Sequence, residues 1–273
     1  MIRTAFTALF FTITTSASAQ GKYAEVNGLK LYYEIHGSGS PLVLLHGGGS
    51  TIESNYGRIL AQLALTHKVI AVELQAHGHT PDRDRPLSFE QDADDVAALL
   101  KKLSITKADI MGFSNGGTTV IQVGIRHPEI VNKLILASVI YSREGMFPGF
   151  FDYMKTAKFE DMPQPLKDAY LKANPGNTKG LLVMFNRDVE RMNNFKDISE
   201  EAVKSIQATA LVINGDKDVV QNAHAVRLSQ LLPNARLLIV PSGHGDYIGE
   251  VCAPDKDSKM PDAVVVTINE FLK

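Results

Sequence analysis

A serine set between glycines is the first candidate for chemistry in this sequence. Residues 112–116 read GFSNG, the spacing G-x-S-x-G, with an apolar run before them and a helix-like segment after them. A turn of this kind between a buried strand and a helix is so tight that only small neighbours fit, and it exposes the serine hydroxyl at the helix N-terminus. Free backbone N–H groups there favour developing negative charge. We therefore predict that Ser114 is a nucleophile.

A serine nucleophile needs a base, and the base needs an acid that orients it. After this kind of turn the usual chain order is serine, then acid, then histidine. Two later apolar runs end in NGDKD and PSGHG, and His244 is the only histidine after the second of them. Asp216 and Asp218 compete for the role of the acid. Asp216 can cap the turn at the strand end, whereas Asp218 is better placed to reach a neighbouring loop, so we favour Asp218.

The glycines of LLHGGGS, residues 44–50, supply the remaining element of this chemistry. Without side chains, they let the backbone approach a substrate and direct an N–H group at it. We predict that the amides of Gly48 and Asn115 form an oxyanion hole. A phosphate-binding loop is excluded because no Lys-Ser or Lys-Thr pair follows the glycines, and no G-x-G-x-x-G motif indicates a dinucleotide site.

Buried strands must hold these loops at one edge of a sheet. A hairpin is predicted around Asn27-Gly28, and apolar runs then alternate with helical patterns, which indicates a mostly parallel β-sheet flanked by helices. The runs cover residues 41–45, 67–74, 107–114, 131–140, 208–216 and 235–243. Residues 141–207 break the alternation because they contain no strand-like run and are rich in Met, Phe and Tyr. We predict a small helical insertion over the strand ends.

The N-terminal residues are typical of a targeting segment. Arg3 precedes an apolar stretch, and the small residues of Ala17-Ser18-Ala19 form a cleavage site. We therefore expect residues 1–19 to be a signal peptide, cleaved near Ala19, and the protein to be exported to a periplasm or secreted. Cys252 is the only cysteine, so no internal disulfide can form, and we expect it to be a small buried residue.

The formal net charge of −2 provides no basic surface for nucleic acid. After the N-terminus, no segment approaches the roughly 20 apolar residues that span a bilayer. His77 and His79 lack a third ligand at a convincing spacing, so no metal site is predicted. A small-molecule ester or acyl compound is the expected partner, and no oligomeric state is predicted.

The order of LLHGGG, VELQAHGHT, GFSNGG, VINGDKD and PSGHGDY resembles the α/β-hydrolase fold, and more narrowly its cap-bearing group of carboxylesterases, enol-lactonases and carbon–carbon bond hydrolases. The resemblance covers residues 22–273. It implies that Ser114, Asp218 and His244 form a catalytic triad. It also implies that residues 20–140 and 208–273 are two parts of one core, and that residues 141–207 are its cap, called the cap segment below. Where the family usually has Asp-x-Arg-Gly-His-Gly-x-Ser, this chain has ELQAHGHT at residues 73–80.

The resulting prediction is a serine hydrolase that cleaves a carboxylic ester or a related acyl bond without a metal or cofactor. A lactonase, thioesterase, carbon–carbon bond hydrolase or perhydrolase could use the same residues. A binding protein on the same scaffold is a further alternative, although such proteins usually have an incomplete triad. Substrate contacts are predicted from His46, Gly47, Phe113, Met146, Phe147 and Met184.

Overall fold

An eight-stranded sheet forms the centre of the computed structural model, which describes residues 21–273. The predicted signal peptide, residues 1–19, lies outside the described residues. The strands are β1 (Lys22–Val26), β2 (Leu29–His36), β3 (Ser40–Leu45), β4 (His67–Glu73), β5 (Ala108–Phe113), β6 (Val131–Ala137), β7 (Thr209–Gly215) and β8 (Ala235–Val240). Their spatial order is β1-β2-β4-β3-β5-β6-β7-β8. The predicted hairpin is confirmed, with positive φ angles of 47° at Asn27 and 77° at Gly28.

The sheet is parallel except at β2, which runs antiparallel to both β1 and β4. In the stretch β4-β3-β5-β6-β7-β8, every pair of neighbouring strands is parallel. Their carboxyl ends therefore meet at one edge of the sheet, where the loops after β3, β5, β7 and β8 carry the predicted site residues. This confirms the predicted mostly parallel sheet.

Alternate residues of the buried strands feed two apolar cores, one on each face of the sheet. In β3, Val43 and Leu45 belong to one core, whereas Leu42 and Leu44 belong to the other. Because strand side chains alternate between the two faces, a strand that is covered on both sides must be apolar throughout. This is why β3 reads as an uninterrupted apolar run.

Ten α-helices are present in residues 21–273. They are α1 (Ile52–Tyr56), α2 (Leu60–Leu63), α3 (Phe89–Lys102), α4 (Asn115–Arg126), α5 (Phe150–Thr156), α6 (Gln164–Ala173), α7 (Thr178–Asn193), α8 (Glu200–Lys204), α9 (Asn222–Leu231) and α10 (Met260–Leu272). The Ser88 side chain caps α3 by accepting a hydrogen bond from Gln91 N. Helix α4 ends two residues before Pro128, which cannot continue a helix. In this part of the chain, no helix is long and apolar enough to cross a membrane.

Helices α5 to α8 all lie in the cap segment between β6 and β7. One isolated antiparallel bridge joins Met146 to Val220. The expectation of a buried cysteine is wrong, because Cys252 is exposed on the loop that precedes α10. Desolvation of the sulfur and the neighbouring Glu250 carboxylate nevertheless raise the pKa of the thiol to about 12. A thiol with a raised pKa forms little of the reactive thiolate.

Candidate active site

Ser114 lies at the junction of β5 and α4 in a conformation that non-glycine residues rarely adopt. Its φ and ψ angles are 53° and −120°, and its backbone N–H donates to Ala137 O at 2.9 Å. A Cβ atom at Gly112 would overlap the carbonyl of Gly116, and a Cβ at Gly116 would overlap the carbonyl of Leu45. The glycines at both positions are therefore required by the close packing of this turn.

His244 and Asp218 come together at the same sheet edge. His244 Nδ1 lies 2.7 Å from Asp218 Oδ1, and the imidazole packs against the ring of Phe113 at a centroid distance of 4.7 Å. Donation from Nδ1 to the carboxylate leaves Nε2 as the basic nitrogen. Within residues 21–273, no hydrogen bond joins the Ser114 hydroxyl to His244; such bonds often tighten only when substrate is bound.

Asp216 and Asp218 have different environments, which separates the two candidate acids. Asp216 is exposed, and its Oδ1 accepts the N–H of Ser242 at 2.9 Å, as a residue that caps the turn would. The Asp218 side chain is fully buried. Burial opposes its ionisation, but the hydrogen bond and charge of His244 and the Ser138 hydroxyl outweigh burial and lower the pKa of Asp218.

Ser138 and Tyr247 support the Asp218 carboxylate from the side away from His244. Ser138 Oγ lies 2.5 Å from Asp218 Oδ2 and 2.6 Å from the hydroxyl of Tyr247. Ser138 follows β6 with a φ of 53°, so its backbone, like that of Ser114, is strained. Sequence reasoning missed both residues: Ser138 belongs to no motif, and Tyr247 ends the PSGHGDY segment but was given no role.

The three glycines after His46 have different hydrogen-bonding partners. Gly47 N donates to Asn55 Oδ1 at 2.6 Å, and Gly49 N donates to Asp188 Oδ2 at 2.7 Å. Among the hydrogen bonds of residues 21–273, none involves the N–H of Gly48 or that of Asn115, the first residue of α4. These two amides are therefore the donors left free to bind an oxyanion.

The Asp188 carboxylate joins helix α7 of the cap segment to the loop that carries the glycines. His77 Nδ1 lies 2.8 Å from the carbonyl of Gln75, and His77 Nε2 lies 2.9 Å from Asp188 Oδ2. The Gln75 carbonyl and the Asp188 carboxylate face the two ring nitrogens, and Gly49 N also lies 3.1 Å from Nε2. The two acceptors favour the imidazolium form of His77. Burial opposes this charge, but Asp188 outweighs burial and raises the pKa of His77.

The buried carboxylate of Glu73 contacts the partly exposed His79, in the segment that departs from the family pattern. Glu73 Oε2 accepts the backbone N–H of His79 at 2.6 Å and lies 2.9 Å from its ring Nδ1, while Glu73 Oε1 accepts the N–H of Ile52. His77 and His79 therefore contact different carboxylates. Over the described range 21–273, no cluster of three or more His, Cys, Asp or Glu residues could hold a metal ion.

A cavity of about 300 Å³ adjoins the free amides. Its wall includes Gly48, Gly49 and Asn115, and helix α7 contributes Phe185, Asp188 and Met192 at helical spacing. Of the predicted substrate contacts, Phe113 packs on His244, and a Cβ at Gly47 would lie 3.3 Å from Ser114 Cβ.

The other predicted substrate contacts lie away from the cavity. His46 is buried and neutral, donating from Nδ1 to Gly47 O while Nε2 accepts the N–H of Leu74; burial and the charge of His77 lower its pKa to about 3. Met184 is fully buried in an apolar cluster with Tyr170 and Leu181 and does not line the cavity. Met146 packs in an apolar cluster and Phe147 is 42% exposed, so the structure does not bring these residues to the cavity.

Comparisons with protein families, with known sequences and with solved structures all match hydrolases. A family model described as "alpha/beta hydrolase fold" matches residues 40–169. The serine hydrolase BPHL of Homo sapiens is 30% identical over 252 residues, 86% of this chain and 82% of that protein. The 2-hydroxymuconate semialdehyde hydrolase of a Pseudomonas species is 26% identical over 71% of this chain and 75% of that protein. The enol-lactonase of Burkholderia xenovorans has the same fold, with a TM-score of 0.70 at 24% identity over 92% of this chain and 99% of that chain.

Proposed function

Because the chain belongs to the α/β-hydrolase fold family, we propose that it is a serine hydrolase that cleaves a carboxylic ester or a closely related acyl bond. The proposal rests on the convergence of Ser114, His244 and Asp218 at one sheet edge. The 2.7 Å contact between His244 Nδ1 and Asp218 Oδ1 is the observation that carries it, because this contact fixes the imidazole tautomer that can accept a serine proton.

The proposed reaction has two halves. His244 Nε2 removes the proton of Ser114 as Oγ attacks the carbonyl carbon, and the amides of Gly48 and Asn115 bind the tetrahedral oxyanion. The alcohol leaves with the proton from His244, which gives an acyl-serine. A water molecule that is deprotonated by His244 then attacks the acyl-serine and releases the acid. Asp218 orients the imidazole and stabilises its charged form throughout.

Hydrolysis of p-nitrophenyl acyl esters of increasing chain length tests this function. We expect turnover by the wild type and loss of nearly all turnover in Ser114→Ala, because the acyl-enzyme cannot form. The chain-length optimum reports the size of the cavity. Absence of ester turnover by folded wild type would contradict the esterase assignment.

Carbon–carbon bond hydrolysis is a second candidate for the same residues. The named activity of the Pseudomonas relative, a semialdehyde hydrolase, favours it. Cleavage of a carbon–carbon substrate together with inactivity on esters would favour it over the esterase. The lactonase, thioesterase and perhydrolase alternatives are each tested by measuring turnover of the substrate class that the alternative names.

A binding protein without catalysis would be indicated if the protein turned over none of these substrates and Ser114 did not react with a fluorophosphonate.

We also propose export of the mature enzyme after cleavage near Ala19, on the basis of the small residues before that position. N-terminal sequencing of protein recovered from the producing cells tests this. A first residue of Gln20 is expected, and retention of Arg3 would contradict cleavage.

A further inference from the structure

The cavity beside the free amides lies where the acyl group of a bound substrate would extend. Gly48 and Asn115 form its inner end, and helices α5, α6 and α7 of the cap segment form most of its wall. We call it the acyl cavity. Its walls are largely apolar and include Phe150, Met154, Leu166, Phe185 and Met192.

The charged residues that line the acyl cavity have one sign. Asp188 lines it next to the glycine loop with 14% of its side chain exposed, and Asp161 is an exposed residue of the wall. Of the residues within 21–273 that line this cavity, none is Lys, Arg or His. An anionic group that entered it would leave water without meeting a cation.

His77 and Arg191 both pair with Asp188 behind this wall, and neither lines the cavity. Arg191 uses two of its guanidinium donors in buried ion pairs. It donates to Asp92 at 2.9 Å and to Asp188 at 2.6 Å, and only 2% of its side chain is exposed. Its guanidinium also lies over the ring of Phe89, 4.9 Å from the centroid. To bind a substrate anion, Arg191 would have to give up a buried partner, which is strongly destabilising.

The Asp188 carboxylate is held in its ionised form by its neighbours. Gly49 N and His77 Nε2 donate to Oδ2, and Arg191 donates to Oδ1. Burial opposes ionisation, but the charges of His77 and Arg191 outweigh burial and lower the pKa of Asp188. Asp188 therefore presents an ionised carboxylate to the cavity, while its partners His77 and Arg191 lie outside the cavity lining.

We propose that Asp188 and the lack of a cation in the acyl cavity make this enzyme selective for neutral, apolar acyl groups and reject acyl groups that carry a carboxylate. The inference rests on the proposed function and names the substrate class of that same site. An anionic acyl chain would lose its hydration, gain no counter-ion and be repelled by Asp188. Asp188 is thus a specificity-determining residue rather than a catalytic one.

Two p-nitrophenyl esters with six-carbon acyl groups, the hexanoate and the adipate monoester, test this directly. We expect kcat/KM to be on the order of 100-fold higher for the neutral hexanoate. Equal values would overturn the proposal. Binding of hexanamide and adipamate, followed as a thermal shift of the Ser114→Ala variant, repeats the comparison without turnover; stabilisation by both amides alike would also overturn it. If only the esterase assignment is wrong, the wild type will not turn over either ester, but hexanamide will still stabilise the Ser114→Ala variant more than adipamate does.

Variants then locate the source of the selectivity. Asp188→Asn should reduce the hexanoate-to-adipate ratio by about tenfold, and this ratio is insensitive to any loss of activity that both substrates share. Leu166→Lys introduces a cation into the wall and should raise the relative rate on the adipate, whereas Leu166→Gln, the uncharged control, should not. An unchanged ratio in both Asp188→Asn and Leu166→Lys would contradict the assignment.

Discussion

Ser138 Oγ lies 2.5 Å from Asp218 Oδ2, while His244 Nδ1 lies 2.7 Å from the other carboxylate oxygen. The carboxylate is thus held from both sides, and its free rotation is prevented. Ser138 occupies the left-handed region with a φ of 53°, which costs a non-glycine residue about 1–2 kcal/mol. A strained residue at this position is explained if its hydroxyl fixes the acid that orients His244.

Substitutions at Ser138 separate the hydroxyl from the backbone strain. Ser138→Ala keeps the strain and removes the hydrogen bond, so we expect kcat to fall by about tenfold, which corresponds to about 1.4 kcal/mol. Ser138→Gly also removes the hydroxyl but accepts the positive φ, so it should show the same loss of kcat with a higher melting temperature than Ser138→Ala. A wild-type kcat in Ser138→Ala would show that the contact does not support catalysis.

Asparagine substitutions at the two candidate acids provide a matched pair. Asp218→Asn removes the charge that stabilises the imidazolium and favours the wrong tautomer, so kcat should fall by about 10⁴-fold. Asp216→Asn changes an exposed carboxylate that accepts a backbone N–H, and its kcat should stay within about threefold of wild type. Steady-state kinetics on one ester distinguish them; a larger loss in Asp216→Asn would reverse the assignment of the acid.

The His77 imidazolium predicts a pH dependence of stability. Asp188 raises the pKa of His77 in the folded protein despite burial, so the folded state holds this proton more tightly than the unfolded chain, where histidine has a pKa of about 6.5. The stabilisation is complete below that value and is lost as the pH rises through the folded pKa. Melting temperatures between about pH 6 and pH 9 should therefore fall less in His77→Gln than in the wild type.

His79 also has a raised pKa, but it is present in both proteins and cancels in the comparison. Identical slopes of melting temperature against pH in wild type and His77→Gln would contradict the buried imidazolium.

Two glycines of helix α4 should respond differently to alanine. A Cβ at Gly116 would overlap the backbone carbonyls of Leu45 and His46, so Gly116→Ala should displace the turn and cost several kcal/mol, beyond the roughly 1–3 kcal/mol of ordinary overpacking. A Cβ at Gly124 would lie 3.1 Å from the flexible end of Leu134. Gly124→Ala should therefore change the free energy of unfolding by no more than about 1 kcal/mol, as measured by urea titration. Equal losses in the two variants would contradict this packing account.

The sequence was sufficient to predict the sheet and the loops at its carboxyl edge. Strands that are buried on both faces appear in the sequence as apolar runs, and strained turns require glycine. The G-x-S-x-G motif and the loops after β7 and β8 indicated Ser114, His244 and the two candidate acids, whereas the contacts in the structure separate Asp218 from Asp216. The contacts of Asp188 with Gly49 and His77 could not be predicted from the sequence, because they join residues that are 139 and 111 positions apart in the chain.

The cap segment was also only partly predictable. Its Met and Phe content indicated an apolar lining, but the rotation of α7 decides which residues meet the cavity. Phe185 and Met192 line the cavity, whereas Met184 is fully buried in the adjoining apolar cluster of the cap segment. Ser138 could not have been found from the sequence either, since only the fold brings the end of β6 beside Asp218.

The central claim is that Ser114 is an activated nucleophile, and its reaction with a fluorophosphonate tests this most directly. Folded wild-type protein is incubated with the reagent, its intact mass is measured, and the adduct is located by peptide mapping, with Ser114→Ala and His244→Ala as controls. The account predicts one adduct, on Ser114, formed rapidly in the wild type, absent from Ser114→Ala and strongly slowed in His244→Ala. Folded wild type that forms no adduct, or forms it on another residue, would contradict the account.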